Sequence, residues 1–131
     1  MNAIGNFLPA VTVGNLLYLS GHIAPNTTGK LGSQRSIEEG YAAARDTANA
    51  LLATIERELG SLDRVVRIVK LLGLVNVEPT FTDMPAVING ASDRLIEVLG
   101  ERGRHARSAF GVASLPKDAS VEIELIAELS P

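Results

Sequence analysis

Residues 106–129 read ARSAFGVASLPKDASVEIELIAEL. Two strand-like runs, about 106–113 and 120–129, flank a Leu115-Pro116-Lys117-Asp118 turn, where a proline and short polar residues interrupt the apolar pattern. The second run alternates. Val121, Ile123, Leu125, Ala127 and Leu129 share one face, while Glu122, Glu124, Ile126 and Glu128 point the other way. A sheet with one apolar and one acidic face is covered on one side only. The first run splits likewise, into Ala106, Ser108, Phe110 and Val112 against Arg107, Ala109, Gly111 and Ala113. Giving the apolar set to the covered side predicts that Arg107 shares the uncovered face with the glutamates. Small side chains at 109 and 111 would then leave space beside the guanidinium.

Upstream, VTV at 11–13, a Gly14-Asn15 turn and LLYLSGHIA at 16–24 predict a hairpin. Ser36 followed by Glu39 is a capping box. Ile37, Tyr41, Ala44, Ala48, Leu51, Ile55 and Leu59 recur at spacings of three and four, and Gly60 ends the run. A helix over about 37–59 follows. VVRIVKLLGLVNV at 65–77 is too β-branched and evenly apolar for a surface helix and predicts a long central strand. In a second helix Asp83 is the expected cap, Pro85 suits the first turn and Gly100 stops it. Its inward stripe is Met84, Val87 or Ile88, Ala91, Leu95 and Val98. The order is ββαβαββ. This predicts an α+β two-layer sandwich, with a mixed, mostly antiparallel sheet and both helices on one face.

The chain has 131 residues, 46% hydrophobic and 21% charged, with a net charge of -3. That size suits one domain over 1–131 with a core of its own. The acidic balance argues against nucleic-acid binding, which rests on clustered Lys and Arg. There are no cysteines, which removes thiol nucleophiles and thiolate metal sites. His22 and His105 lack paired metal-ligand spacing, so no metal is expected. MNAIGNFLPA has no charged segment leading into an apolar one, and no apolar run approaches the ~20 residues of a bilayer span. The expectation is a cytoplasmic protein without a membrane partner.

Arg107 has two readings. One is a structural ion pair with Glu122 or Glu124. The other is a clamp for a carboxylate ligand, which a guanidinium binds through two parallel hydrogen bonds. Glu122 is correspondingly an ion-pair partner or a carboxylate that positions water for attack. Ser20 precedes Gly21 at a strand end, outside any G-x-S-x-G elbow, and neither histidine has an evident acidic orienter. A serine hydrolase is therefore not expected. Both histidines read as surface or pairing residues. Asn89 stands mid-helix, where asparagine is unfavourable, and so is exposed or faces a partner.

GNLLYLSGHIA, the run at 65–77, NGASDRL and above all ARSAFGVASLPKDASVEIELIA together resemble the Rid family, also called YjgF-like proteins. The resemblance spans nearly the whole chain. It implies a chorismate-mutase-like fold assembled as a homotrimer with clefts between subunits. The implied activity is hydrolysis of small enamine or imine intermediates to 2-keto acids and ammonia, with no cofactor. Older labels in the family are endoribonuclease and translation inhibitor. Carried over by motif, the carboxylate-binding arginine is Arg107 and the water-positioning glutamate is Glu122. Ser20, Asn89, Ala109 and Phe7 fall on substrate-binding positions of the pocket. Three positions depart from the deaminase pattern. Phe7 stands in place of a tyrosine, Ala109 in place of a frequent cysteine, and Gly111 in place of a frequent glutamate. This likens the chain to a GVASLP-bearing subgroup. It leaves open a non-catalytic trimer that binds a small carboxylate.

Overall fold

The computed structural model describes residues 5–131. Its elements are β1 (Ala10–Val13), β2 (Leu16–Ile23), α1 (Ile37–Leu59), β3 (Val65–Asn76), α2 (Met84–Leu99), β4 (Ala106–Val112) and β5 (Val121–Leu129). This is the ββαβαββ order that the periodicities predict. The sheet runs β1-β2-β5-β3-β4. All pairings are antiparallel except β3 with β4, which α2 connects as a crossover. The result is an α+β sandwich with both helices on one face of a mixed sheet.

Local chemistry sets the helix ends. Ser36 accepts from the Glu39 amide while the Glu39 carboxylate accepts from the Ser36 amide, and Gly60 closes α1 in the left-handed region at φ 85°. Asp83 stands at the N-cap of α2, but its side chain makes no capping bond. The helices meet where Gly90 lies against the Tyr41 backbone, leaving no room for a methyl group. Tyr41, expected inside, lies at the margin of the core and donates from its hydroxyl to Asp93 Oδ2 at 2.6 Å. Met84 and Val98 are half-buried, while Val87, Ile88, Ala91, Leu95 and Leu99 carry the burial of α2.

Val121, Ile123, Leu125, Ala127 and Leu129 of β5 are all buried in one core with Leu51 and Ile55 of α1 and Ile88 and Leu95 of α2. The alternation in β5 is as expected. That of β4 is reversed. Arg107 pairs with Leu71, which pairs with the buried Leu125; Ala109 pairs with Gly73, where a methyl group would strike Ile88 of α2. Arg107, Ala109 and Gly111 therefore face the helices, and Ala106, Ser108, Phe110 and Val112 lie on the open side. β4 is an edge strand at the margin of α2, so its inner face is only partly covered. A guanidinium there can reach helix carbonyl and hydroxyl groups, and nothing requires the apolar set to turn inward. The space expected at 111 is filled as well, because a Cβ there would meet Val77 and Met84.

The open face carries apolar side chains from edge to edge. Val11 pairs with Tyr18, Tyr18 with Ile126 and Ile126 with Lys70; a second row runs Ile23, Glu122, Leu74, Phe110. On this face Val11 at 47%, Val13 at 62%, Tyr18 at 43% and Phe110 at 46% exposure stand among Lys70, Glu122, Glu124 and Glu128. Among the described residues, no helix is long and apolar enough to cross a membrane.

Candidate functional site

The structure separates the expected site residues into two groups. Arg107, Asn89 and Ala109 lie on the helix side at the β4 edge. Nη1 of Arg107 donates to Ser92 Oγ at 3.0 Å, and Nη2 donates to the Pro85 carbonyl at 3.3 Å. Both anchors belong to α2. Asn89 stands one helical turn after Pro85 and one before Ser92, on the same stripe, and is exposed. An open pocket of about 250 Å³ lined by Ser92, Ile96, Arg104, His105 and Arg107 adjoins the guanidinium.

Glu122, Ser20 and the segment carrying Phe7 form the other group. Glu122 leaves β5 on the open face, and its carboxylate lies directly over Gly21, where a methyl group would strike it. Gly21 sits at the register shift between Leu19 and His22, which keeps a bulge under the carboxylate. Burial, then the nearby Glu124 charge, raises the Glu122 pKa above the usual glutamate range. Ser20 donates to the Leu8 carbonyl at 2.6 Å, and its amide donates to the Pro9 carbonyl at 2.9 Å. These bonds tie down the strand that follows Phe7, whose ring is 46% exposed.

The ion pair of Arg107 with Glu122 or Glu124 does not form within one chain. The ion pairs among the described residues join Arg35 to Glu39, Arg45 and Arg94 to Glu97, and Arg104 to Glu101. Glu122 and Glu124 are on the opposite side of the sheet from Arg107. Among the described residues its charge is met instead by neutral acceptors of α2, Ser92 Oγ and the Pro85 carbonyl.

Neither histidine is a simple surface residue. His22 is buried between the Ser20 carbonyl at Nδ1 and Thr54 Oγ1 at Nε2, each 2.7 Å away. His105 Nδ1 lies 2.6 Å from the Gly103 carbonyl and its Nε2 lies 2.9 Å from Ser92 Oγ. Burial lowers both imidazoles below their ordinary pKa, with Arg107 adding to the effect at His105. The sequence assigns no part in the candidate site to Ser92 or Gly21, while His105 fulfils the pairing half of its expected reading. Strand alternation was the available signal for His105, since it sets residues 105 and 107 on one face. Among the described residues, no cluster of three His, Asp or Glu side chains could hold a metal ion.

Residues 1–129 match the family model described as Endoribonuclease L-PSP. Protein TCP17 of Trypanosoma cruzi is 44% identical over 131 residues, covering 95% of this chain and 82% of that protein. The 2-iminobutanoate/2-iminopropanoate deaminase of Dermatophagoides farinae is 32% identical over 127 residues, covering 94% and 85%. Among solved structures, protein Atu1372 of Agrobacterium tumefaciens superposes with a TM-score of 0.94 at 42% identity, covering 95% of this chain and 82% of that one.

Proposed function

The chain belongs to the endoribonuclease L-PSP family, the Rid or YjgF-like family, and from that premise we propose that it hydrolyses small imines of 2-amino acids in clefts between copies of itself. One observation carries this reading. The two groups such chemistry needs, Arg107 and Glu122, leave opposite faces of one sheet, so no single chain brings them together. A cyclic homotrimer supplies Arg107 from one protomer and Glu122 from the next, while covering the apolar open face. Asn89 and Ala109 come with the arginine. Ser20 and Phe7 come with the glutamate.

Each half has a distinct task. Arg107, preset against α2, receives the substrate carboxylate and fixes the imine carbon. Water oxygen bonds to that carbon as the C=N electron pair moves to nitrogen, and Glu122 accepts a proton from the water. Glu122 passes that proton to nitrogen, giving the carbinolamine. As it collapses, the hydroxyl proton follows the same way to nitrogen, C=O forms and the C–N electron pair leaves with nitrogen, so ammonia departs and the 2-keto acid remains. An enamine enters the same route after a proton moves from nitrogen to carbon. The raised Glu122 pKa suits a group that both takes and returns protons. The imine carbon is already electrophilic, so positioning is the main contribution.

Phe7 favours a second reading, because its ring lacks the hydroxyl of the deaminase pattern. In that reading the trimer binds a small carboxylate metabolite without turning it over. Decay of 2-iminobutyrate, generated in place by a threonine dehydratase, decides between the two. The hydrolytic reading expects the protein to accelerate decay. Arg107→Lys should lose both binding and rate, because a point charge cannot reproduce the planar fork. Glu122→Gln should lose mainly rate. Binding of 2-ketobutyrate without acceleration leaves the module. Cleavage of RNA by salt-washed protein, lost in Arg107→Ala, would replace both.

A further inference from the structure

The bonds behind Arg107 permit one proton arrangement. The Gly103 carbonyl can only accept, so His105 Nδ1 carries the hydrogen and donates to it. The imidazole, disfavoured as a cation by burial and by Arg107, is neutral, and its Nε2 must accept. Ser92 therefore donates its hydroxyl hydrogen to Nε2 and turns a lone pair toward Arg107, whose Nη1 donates to it. The chain runs from guanidinium to hydroxyl to imidazole to backbone carbonyl in one direction. The Pro85 carbonyl holds the other Nη, so the fork is fixed at two points.

The fold uses the same arrangement elsewhere. His22 bonds the carbonyl two residues before it, accepts from Thr54 of α1, and Arg57 donates to Thr54 Oγ1 at 3.2 Å. At that site the histidine is fully buried. Both arrangements end at an arginine that reaches the surface, but only Arg107 lines the open pocket beside β4.

We propose that Ser92 and His105 are positioning residues, which hold the Arg107 guanidinium aimed for a substrate carboxylate. The proposal rests on the reading of Arg107 as the clamp. An arginine side chain otherwise samples many rotamers, and ordering it only on binding weakens affinity. Ser92→Ala removes the bridge, and His105→Phe removes the acceptor that orients the hydroxyl. Each should weaken 2-ketobutyrate binding about tenfold, the cost of one hydrogen bond to a charged group. In turnover the effect should fall on KM more than kcat, since Glu122 is untouched. Ser92→Thr keeps the hydroxyl, and His105→Gln offers an oxygen near the place of Nε2; both should restore most of the binding.

Nitrogen-15 NMR of the intact assembly tests the relay apart from the clamp. The parent should show His105 as the Nδ1–H tautomer and resolved, slowly rotating guanidinium signals absent from Arg107→Lys. Ser92→Ala should collapse those signals, and Ser92→Thr should keep them. A parent protein that binds no 2-ketobutyrate overturns the clamp, while the spectra still judge the relay. An Nε2–H tautomer, or Arg107 signals indifferent to Ser92→Ala, overturns the proposal whether or not the keto acid binds.

Discussion

Arg107 and Glu122 stand on opposite faces of the same sheet, with β3 between their strands: Arg107 pairs with Leu71 toward the helices, and Glu122 pairs with Leu74 away from them. If the two act on one substrate, they come from different chains. Arg107→Lys and Glu122→Gln should then each be inactive alone yet complement each other after subunit exchange. In randomly mixed trimers about a quarter of clefts pair an intact arginine with an intact glutamate, so up to about a quarter of parent activity should return. Imine decay measured after mixing and brief unfolding checks this. No recovery would mean that the two residues do not share a cleft.

The open face supplies the means of association. Phe110 is 46% exposed in the isolated chain and lies in the same cross-strand row as Leu74 and Glu122. Phe110→Asp places a charge in a surface that assembly would dry, while touching little of the core beneath the helices. Light scattering should show the assembly shifted toward monomer, with far-UV circular dichroism retained. A variant of unchanged mass would remove this face from the interface.

The fold was legible because most elements announce themselves in two ways at once. Ser36, Glu39 and Gly60 mark both ends of α1, and the alternation of β5 matches its burial residue by residue. The failure was at β4. Its more apolar set, with Phe110 and Val112, lies on the open face, so the hydrophobic contrast points the wrong way, and a one-residue change of register exchanges the two faces. Only the pairing with β3 decides, and that depends on a parallel partner more than thirty residues away in sequence. The candidate residues were therefore found by type and motif, while their division between two faces was not. The neutral acceptors of Arg107 were equally hidden, since a backbone carbonyl at Pro85 has no sequence signature.

His22 makes stability depend on pH. Burial lowers its pKa below the unfolded value of about 6.5, so the unfolded chain binds more protons between the two values. Its contribution is present above pH ~6.5 and is lost as pH falls through the lowered native value, and His105 acts in the same direction. Thermal melts should fall as pH drops from about 7.5 to about 5. His22→Gln should flatten that slope, whatever it does to the absolute melting temperature. An equal slope in the variant would mean that His22 is not the group being protonated.

Glu122 has the opposite sign. Its native pKa is raised, so between the ordinary glutamate value of about 4.3 and the raised value the native state binds more protons. Its contribution is present below pH ~4.3 and is lost as pH rises through the raised value. Glu122→Gln should therefore melt higher than the parent at pH ~7, and this gain should shrink toward pH ~4. A gain independent of pH would deny the raised pKa.

Gly21 tests the position of the Glu122 carboxylate without changing its chemistry. The glycine is not in the left-handed region, so alanine fits its backbone, but the methyl group would occupy the space of the Glu122 carboxylate. The colliding atoms are the far end of a flexible side chain. Gly21→Ala should therefore swing the carboxylate aside with only a small loss of melting temperature. If Glu122 places water against the imine carbon, a shift of about 1 Å should slow imine decay ~10–100-fold. Binding of 2-ketobutyrate at Arg107 should survive. Adding Glu122→Gln to Gly21→Ala should cost little more, because both changes remove one function and their effects do not add. Full losses that multiply in the double variant, or turnover untouched by Gly21→Ala, would show that the carboxylate over Gly21 is not the group that serves the reaction.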